Sequence, residues 1–296
     1  MSTGENSVVP TRQTGDRPLK RVTLASGAYV LRNYTVKDIQ DLKGKTQLTQ
    51  TLPFLPEEAA AAAEAGIDVM KVRFDPANPS LAKEIRAAAP HTFMSFSCPL
   101  IVPTSPQEAL RLAFDAVEAG ADSIMCQWAP RYIAALAEVG IPAEGHAGLV
   151  PRKSHWIGGL KAPGKTVDDA MRIFAEIKAL EEAGAWAVEI EVIPPAILAE
   201  ITKRTTLVTS SIGAGPGDLQ FLFAQDILGD GKAPFPRHAK VYRDLHAMRQ
   251  KMQDERVAAF KEYVADVQSG AFPGPEHVVS VADDVVAGFI KAVDKD

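Results

Sequence analysis

The sequence contains little of what marks several large classes of protein. Only two cysteines occur among its 296 residues, Cys98 and Cys126, so no framework of disulfides is implied. The formal net charge is -5, which leaves no basic surplus to neutralise the phosphates of a nucleic acid. No apolar run is long enough to span a bilayer, and the first residues are polar with no apolar export segment. These absences predict a cytoplasmic protein that binds neither nucleic acid nor membrane.

A regular alternation of strand-like and helix-like segments is what the sequence does contain. Eight strands are predicted, at residues 45–52, 68–74, 92–97, 123–127, 141–146, 186–191, 206–211 and 219–224. The tripeptide EAG comes before residues 67, 121 and 185, where it indicates a glycine turn from a helix into a buried strand. The alternation predicts an α/β fold of the (β/α)8 TIM-barrel class, with a doubly wound open sheet as its main rival.

The two ends of the chain have a different character. Residues 1–20 carry little hydrophobic pattern and are predicted to be a mobile arm. A short helix is expected from Thr35 to Leu42, with Thr35 as its N-cap. The polar stretch from Ala239 to Gln268 predicts an extra C-terminal helix that packs on the barrel or on a neighbouring subunit. Residues 21–296 are accordingly expected to form one domain that includes this helix.

Functional residues are expected where the strands end, because active sites of such barrels lie at the carboxyl ends of the strands. Glu189 and Glu191 are two residues apart and therefore share one face of a buried strand. A carboxylate there is costly to desolvate unless it is paired or has a task such as general-base catalysis. His146 ends the fifth strand and is a second catalytic candidate. The alternatives are a salt-bridged carboxylate at the barrel rim and a packed, hydrogen-bonded histidine.

Other strand ends carry weaker signals. The glycine-rich turn that begins at Ser211, SIGAGPGD, either presents backbone N–H groups to an anion or is simply a tight turn. Lys71 and Arg73 are unusual in a buried strand, and they supply positive charge to the site if they point inward. Otherwise the strand is irregular or exposed at an edge. No spacing supports a zinc site, so Cys98 and Cys126 are predicted to be buried, inert thiols.

Six segments of the C-terminal two thirds form a series with specific spacing: GIPAEGHAGLVP, SHWIGGLKAPGK, ALEEAGAWAVEIEVIP, SIGAGPG, FAQDILG and VADVQSGAFP. This series resembles the ketopantoate hydroxymethyltransferase family, in the same order and at nearly the same spacing. The resemblance implies a TIM barrel of the phosphoenolpyruvate mutase and isocitrate lyase superfamily. It also implies a one-carbon transferase that moves a hydroxymethyl group from methylenetetrahydrofolate to 3-methyl-2-oxobutanoate, toward pantothenate. A ring-like homo-oligomer, commonly a decamer, is implied as well.

The resemblance also implies roles for individual residues. Glu191 falls on the general base of the family and His146 on its histidine, and the two are expected to face each other across a ligand-sized gap. Ser97, Lys161 and Ser211 are predicted to help hold the small 2-oxo acid substrate, together with the two cations of the second strand.

The metal site of the family does not carry over in the same way. A divalent metal, usually magnesium, holds the 2-oxo acid and stabilises its enolate in the family. Here the direct register places Phe74 on an acidic residue of the family, Met125 on a lysine and Gln127 on a glutamate. Asp75 and Gln127 remain as candidate metal ligands, with Asp75 available only if the strand slips by one residue. Magnesium prefers hard oxygen ligands with carboxylate charge, so this set would hold the ion weakly.

Two alternatives to a magnesium-dependent hydroxymethyltransferase therefore stay open. One is a related, metal-independent aldol or retro-aldol C–C lyase or transferase acting on another small oxo acid, in which Lys71 and Arg73 stabilise the enolate. The other is a catalytically inactive paralogue that binds a ligand or has a structural role. Activity that is unaffected by a chelator favours the first alternative, and tight binding without turnover favours the second.

Overall fold

A computed structural model describes residues 18–99 and 103–294 of the chain. The chain forms two compact units, residues 1–243 and 244–296, and each is described by itself. The predicted arm at residues 1–20 lies almost wholly outside the described residues. The single domain expected over residues 21–296 stays a prediction.

The first unit contains a two-stranded antiparallel hairpin and a closed barrel of eight parallel strands. In chain order the strands are β1 (Lys20–Thr23), β2 (Tyr29–Arg32), β3 (Leu48–Leu52), β4 (Val69–Arg73), β5 (Phe93–Ser97), β6 (Ser123–Met125), β7 (Ala143–Gly148), β8 (Ala187–Glu191), β9 (Val208–Ile212) and β10 (Leu219–Phe223). Strands β3 to β10 follow one another around the barrel, and β10 closes it by pairing with β3. The predicted TIM barrel is confirmed, and the open sheet is wrong because the two edge strands pair.

Helices follow most of the barrel strands and cover its outside. In the first unit they are α1 (Val36–Leu42), α2 (Pro56–Glu64), α3 (Ser80–Ala88), α4 (Pro106–Glu118), α5 (Pro130–Glu138), α6 (Val167–Glu182), α7 (Pro195–Thr202) and α8 (Ala224–Leu228), and the second unit contains α9 (Leu245–Ser269) and α10 (Asp283–Val293). Helix α1 begins as predicted: the Thr35 side chain accepts from the Asp38 backbone N–H, and the Asp38 carboxylate accepts from that of Thr35. This reciprocal pair satisfies two backbone donors that the first turn leaves free.

All eight predicted barrel strands overlap an observed strand, but the hairpin β1–β2 was not predicted. Its strands have four residues each, and most of their positions are exposed or half-exposed. Short strands of this kind lack the alternation of apolar and polar residues by which a strand is recognised from sequence.

The barrel interior is layered because its strands keep a common register. One apolar cluster contains the first residue of six strands, together with Tyr34, Ile39 and Trp186. The six strand residues are Leu48, Val69, Phe93, Ala187, Val208 and Leu219. Two residues further along, the inward positions of several strands are polar, among them Gln50, Lys71, Ser95, Glu189 and Ser210. The apolar layer therefore closes the amino-terminal end of the barrel, and the polar layer lies above it.

Three aspartates hold the starts of neighbouring strands together. Each stands directly before one strand and accepts the backbone N–H at the beginning of the preceding strand. The pairs are Asp68 with Thr49, Asp122 with Met94 and Asp218 with Thr209, each at 2.9 Å. These bonds give a partner to backbone donors at the closed end of the barrel, where burial would otherwise leave them unsatisfied.

The second unit consists of α9, α10 and the turn between them, and neither helix contains a buried residue. Helix α9 starts at Leu245, six residues after the predicted start, because the Asp244 side chain caps it by accepting the Ala247 N–H at 2.9 Å. The rings of Tyr263 and Phe272 lie 5.5 Å apart after the helix turns back. Across the described residues of both units, no helix has the length and apolar character required to cross a membrane.

Candidate active site

A cavity of about 900 Å³ opens at the carboxyl ends of the barrel strands. The last residues of several strands line it, which is where the barrel fold was expected to place functional side chains. Its polar and charged lining includes Lys71, Arg73, Ser97, His146, Glu189 and Glu191.

His146 and Glu191 are in direct contact at this cavity. The Nε2 atom of His146 lies 3.1 Å from Oε2 of Glu191 and 3.5 Å from Oε1 of Glu189. Both neighbours are carboxylates, which only accept, so Nε2 carries the proton and donates it. The expected ligand-sized gap between His146 and Glu191 is wrong. The two residues belong to β7 and β8, which are adjacent strands of the barrel.

Lys71 lies below this pair, with only 1% of its side chain exposed. Its ammonium forms an ion pair with Glu144 Oε1 at 2.8 Å and a second one with Glu189. The hydroxyl of Ser95 donates to the other oxygen of Glu144 at 3.2 Å. Lysine and glutamate are rarely buried this deeply unless they are paired, and here one ammonium serves two carboxylates.

The ionisable groups of this cluster shift one another's pKa values. Burial by itself would lower the pKa of Lys71, but the charges of Glu144 and Glu189 raise it above the usual value. Burial raises the pKa of Glu144, which Lys71 only partly offsets. Burial also acts to raise the pKa of Glu189, but Lys71 and His146 together bring it below the usual value. Lys71 is thus held in its charged form, and its charge is already matched by acids.

Arg73 is the other cation that the sequence placed on this strand. It stands two residues after Lys71, hence on the same inward face, and lines the cavity as an exposed residue. Its guanidinium lies 4.7 Å from the centroid of the Phe54 ring. No carboxylate of the described residues forms an ion pair with it.

The residues at the ends of β4 to β6 do not fit the magnesium ion that the resemblance implies. Phe74 is a buried, apolar residue of the cavity lining, and its ring lies 6.0 Å from that of Phe96. Asp75 is exposed, and its Oδ1 accepts the Ala77 N–H at 2.9 Å. Gln127 lines the cavity with a neutral amide. A single exposed carboxylate and one amide do not supply the charged oxygen ligands that magnesium requires.

A different group of residues is close enough to share an ion. Among the described residues, His146, Glu189 and Glu191 offer ligand atoms that all lie within 4.8 Å of one another. Glu189 is already in contact with the ammonium of Lys71, which competes with a metal ion for the same carboxylate. These residues also lie on β7 and β8, away from the strand ends where Asp75 and Gln127 were predicted to act.

Three further predicted residues end up in different places. Ser97 lines the cavity at the end of β5. Lys161 is exposed in the loop after β7 and does not line the cavity. Ser211 points out of the barrel, and its hydroxyl donates to the carbonyl of Gly215. Alternation along β9 explains this, because Ser210 is the inward neighbour that bonds Gln50 inside the barrel.

Sequence reasoning missed Glu144 altogether. The signal was present, because Glu144 stands two residues before His146 and therefore shares its face of the strand. Its importance depends on Lys71, which approaches it from a strand 73 residues earlier in the chain. Only the closed barrel brings those two positions together.

Comparisons with known proteins agree with the resemblance. The profile of the ketopantoate hydroxymethyltransferase family matches residues 70–275. A 3-methyl-2-oxobutanoate hydroxymethyltransferase of Kosmotoga olearia is 31% identical over 264 residues, which cover 82% of this chain and 96% of that protein. The same enzyme of Pyrobaculum calidifontis is 30% identical over 267 residues, covering 83% and 98%, and that of Alkaliphilus metalliredigens is 34% identical over 204 residues, covering 67% and 70%. This chain belongs to the ketopantoate hydroxymethyltransferase family.

Proposed function

We propose that this protein transfers a hydroxymethyl group to a small 2-oxo acid, with 3-methyl-2-oxobutanoate as acceptor and methylenetetrahydrofolate as donor. The observation that carries the proposal is the Glu191 carboxylate at the barrel mouth, 20% exposed and held by His146 at 3.1 Å. A carboxylate that faces a cavity and is oriented by a neighbouring donor has the arrangement of a general base.

In the proposed reaction Glu191 takes the proton from C3 of the 2-oxo acid, and the C–H electron pair forms the enolate. Water adds to the methylene carbon of the donor and both C–N bonds to that carbon break, which releases tetrahydrofolate and a one-carbon unit at the oxidation level of formaldehyde. The enolate carbon attacks this unit to form the new C–C bond, the electron pair of its C=O bond moves to oxygen, and the proton held by Glu191 returns to that oxygen as the hydroxyl. His146 is a positioning residue in this scheme, because its N–H holds one carboxylate oxygen of Glu191 and leaves the other for the substrate.

The shape of the cavity supports an acceptor with an apolar branch. Leu52, Ile212, Phe221 and Phe223 form an apolar wall on β3, β9 and β10. The volume of about 900 Å³ is at the upper end for small-molecule sites and leaves room for a larger donor beside a small oxo acid. Family membership supports a role in pantothenate biosynthesis, and we infer a cytoplasmic homo-oligomer from it. The decameric ring stays a prediction.

Exchange of the C3 proton in D₂O tests the base without any folate donor. We expect the wild-type protein to exchange the C3 proton of 3-methyl-2-oxobutanoate, as followed by NMR. Glu191→Gln should slow both exchange and product formation by at least about 10²-fold, the low end for loss of a general base. Glu200→Gln is the matched control, since Glu200 is a glutamate on the outer helix α7 with 53% of its side chain exposed. Full activity of Glu191→Gln would remove Glu191 from the mechanism.

A further inference from the structure

We propose that Arg73, and not a divalent cation, binds the carboxylate of the 2-oxo acid in this protein, so that acceptor binding is independent of metal. The inference rests on the proposed function for the identity of the acceptor. It concerns only how that acceptor is held.

The position of Arg73 suits this task. It is the last residue of β4 and lines the same cavity as Glu191, which lies on β8 on the opposite side of the barrel. The Phe54 ring beneath its guanidinium, at 4.7 Å, orients the planar group and leaves its N–H donors free at the edge. A guanidinium presents these donors as a fork that matches the two oxygens of a carboxylate.

Lys71 does not compete for this role. Its ammonium is enclosed by Glu144 and Glu189, and its side chain is 1% exposed. Binding a substrate carboxylate there would require breaking a buried ion pair and leaving a glutamate without its partner, which is strongly unfavourable. Of the lysines and arginines that line the cavity in the described chain, Arg73 alone has no acidic partner.

The charge of the cluster makes a free cation necessary. Three carboxylates, those of Glu144, Glu189 and Glu191, lie at the centre and mouth of the barrel, and the single ammonium of Lys71 pairs with the first two of them. An anionic substrate that enters this region meets an excess of negative charge. Arg73 is exposed at the mouth, where its positive charge offsets that repulsion and orients the acid end of the substrate toward itself.

A metal ion bound by the three residues that lie close enough to share one would conflict with the proposed chemistry. An ion held by His146, Glu189 and Glu191 would occupy the carboxylate that acts as base and would displace Lys71 from Glu189. At the ends of β4 to β6, the apolar Phe74 and the turn-capping Asp75 leave too few ligands. The arginine is therefore the group in the cavity that is free to bind the substrate carboxylate.

The test uses the full chain, treated with a chelating resin, and measures binding of 3-methyl-2-oxobutanoate by calorimetry with and without added Mg²⁺. We expect the wild-type dissociation constant to change less than about twofold on adding Mg²⁺. Arg73→Met should weaken binding by about 10- to 100-fold, the range for losing hydrogen bonds to a charged group. Arg73→Lys should recover only part of the loss, since an ammonium lacks the fork.

Arg21→Met is the matched control. Arg21 is also an exposed arginine stacked on an aromatic ring, 4.4 Å from the centroid of Tyr29, but it lies on the hairpin and not in the cavity. Binding by this variant should equal that of the wild type. Circular dichroism of each variant checks that the fold is kept.

The outcomes separate this inference from the proposed function. Binding that disappears on chelation and returns with Mg²⁺, or an Arg73→Met protein that binds as well as the wild type, would overturn the role of Arg73. Metal-independent, Arg73-dependent binding supports the inference even if C3 proton exchange is absent. In that case the proposed function fails and the binding role of Arg73 stands.

Discussion

Lys71 Nζ and Glu144 Oε1 lie 2.8 Å apart inside the barrel, with 1% and 0% of their side chains exposed. The two residues belong to β4 and β7, which are separated by two intervening strands, so the ion pair crosses the barrel interior. Together with Glu189 it supports the residues at the mouth from below. Buried charge of this kind is costly unless it stays paired.

Removing the ammonium should destabilise the fold more than removing any exposed ion pair. Lys71→Met leaves Glu144 and Glu189 buried without their cation, and we expect a loss of about 3–5 kcal/mol in the free energy of unfolding. Urea denaturation measures it. Lys37→Met is the control, because Lys37 and Asp41 form an exposed pair within α1 that contributes at most about 0.5 kcal/mol.

A second variant makes this prediction specific to charge. Lys71→Met combined with Glu144→Gln and Glu189→Gln removes the unpaired acids and should recover part of the lost stability. A triple variant that is no more stable than Lys71→Met would show that packing, and not charge, explains the loss.

Gly148 is predicted to control the position of Glu191. It has φ +84°, and a Cβ atom added there would lie 2.4 Å from the backbone carbonyl oxygen of Glu191. Gly148→Ala should therefore displace the end of β8 and lower turnover by at least about tenfold, since small misplacements of catalytic groups are costly. Steady-state kinetics measure the effect.

Gly140→Ala separates crowding from backbone strain. Gly140 also has a positive φ, +76°, but nothing lies within 4 Å of an added Cβ. This variant should lose only about 1–2 kcal/mol of stability from the left-handed conformation and keep its turnover. Equal loss of turnover in both variants would contradict the proposed contact.

Glu181 should contribute to stability in a defined range of pH. Partial burial would raise its pKa, but hydrogen bonds from Lys178 and Thr206 lower it to about 2, from 4.5. Because the folded pKa is depressed, the carboxylate stabilises the fold above pH 4.5, and this contribution is lost as the pH falls toward 2.

Unfolding free energies measured between pH 6 and pH 2 check this assignment. Glu181→Gln should flatten the decline of stability in that range and should be less stable than the wild type at pH 6. Parallel curves for the two proteins would show that Glu181 does not titrate in the predicted way.

The two thiols should resist modification in the native protein. Cys98 and Cys126 are free and buried, burial raises the pKa of Cys98 well above its usual value, and that of Cys126 rises to about 12. Thiolate is the reactive form, so neither should react with a disulfide reagent at pH 8. Both should react in guanidinium chloride. Rapid labelling of one thiol in the folded state would contradict the burial described for it.

Much of the fold was accessible from local patterns. The EAG turns, the Thr35 cap and the eight apolar strand segments each depend on residues close in sequence, and the structure confirms them. The hairpin before residue 33 and the helix α10 were missed. In the hairpin, short exposed strands carry no periodic signal.

The candidate site was accessible only in part. The strand-end rule selected His146, Glu191 and Ser97, and Arg73 was selected because a cation is unusual in a buried strand; all four residues line the cavity. The rule failed for Ser211, because it did not establish which side of β9 faces inward. A shift of one residue along a strand reverses the face of every side chain, so a strand end predicted only approximately does not determine orientation.

The sequence by itself determined the order of strands and helices, the caps that begin helices and the segments that identify the family. Only the tertiary structure decided that Lys71 lies between Glu144 and Glu189, that His146 contacts Glu191, and that Arg73 keeps its charge free. The physical reason is that side chains alternate between the two faces of a strand, so the sequence shows which of them share a face of one strand. Closure of the barrel, which no single strand encodes, decides which of those faces meet across the interior and which charges neutralise each other there.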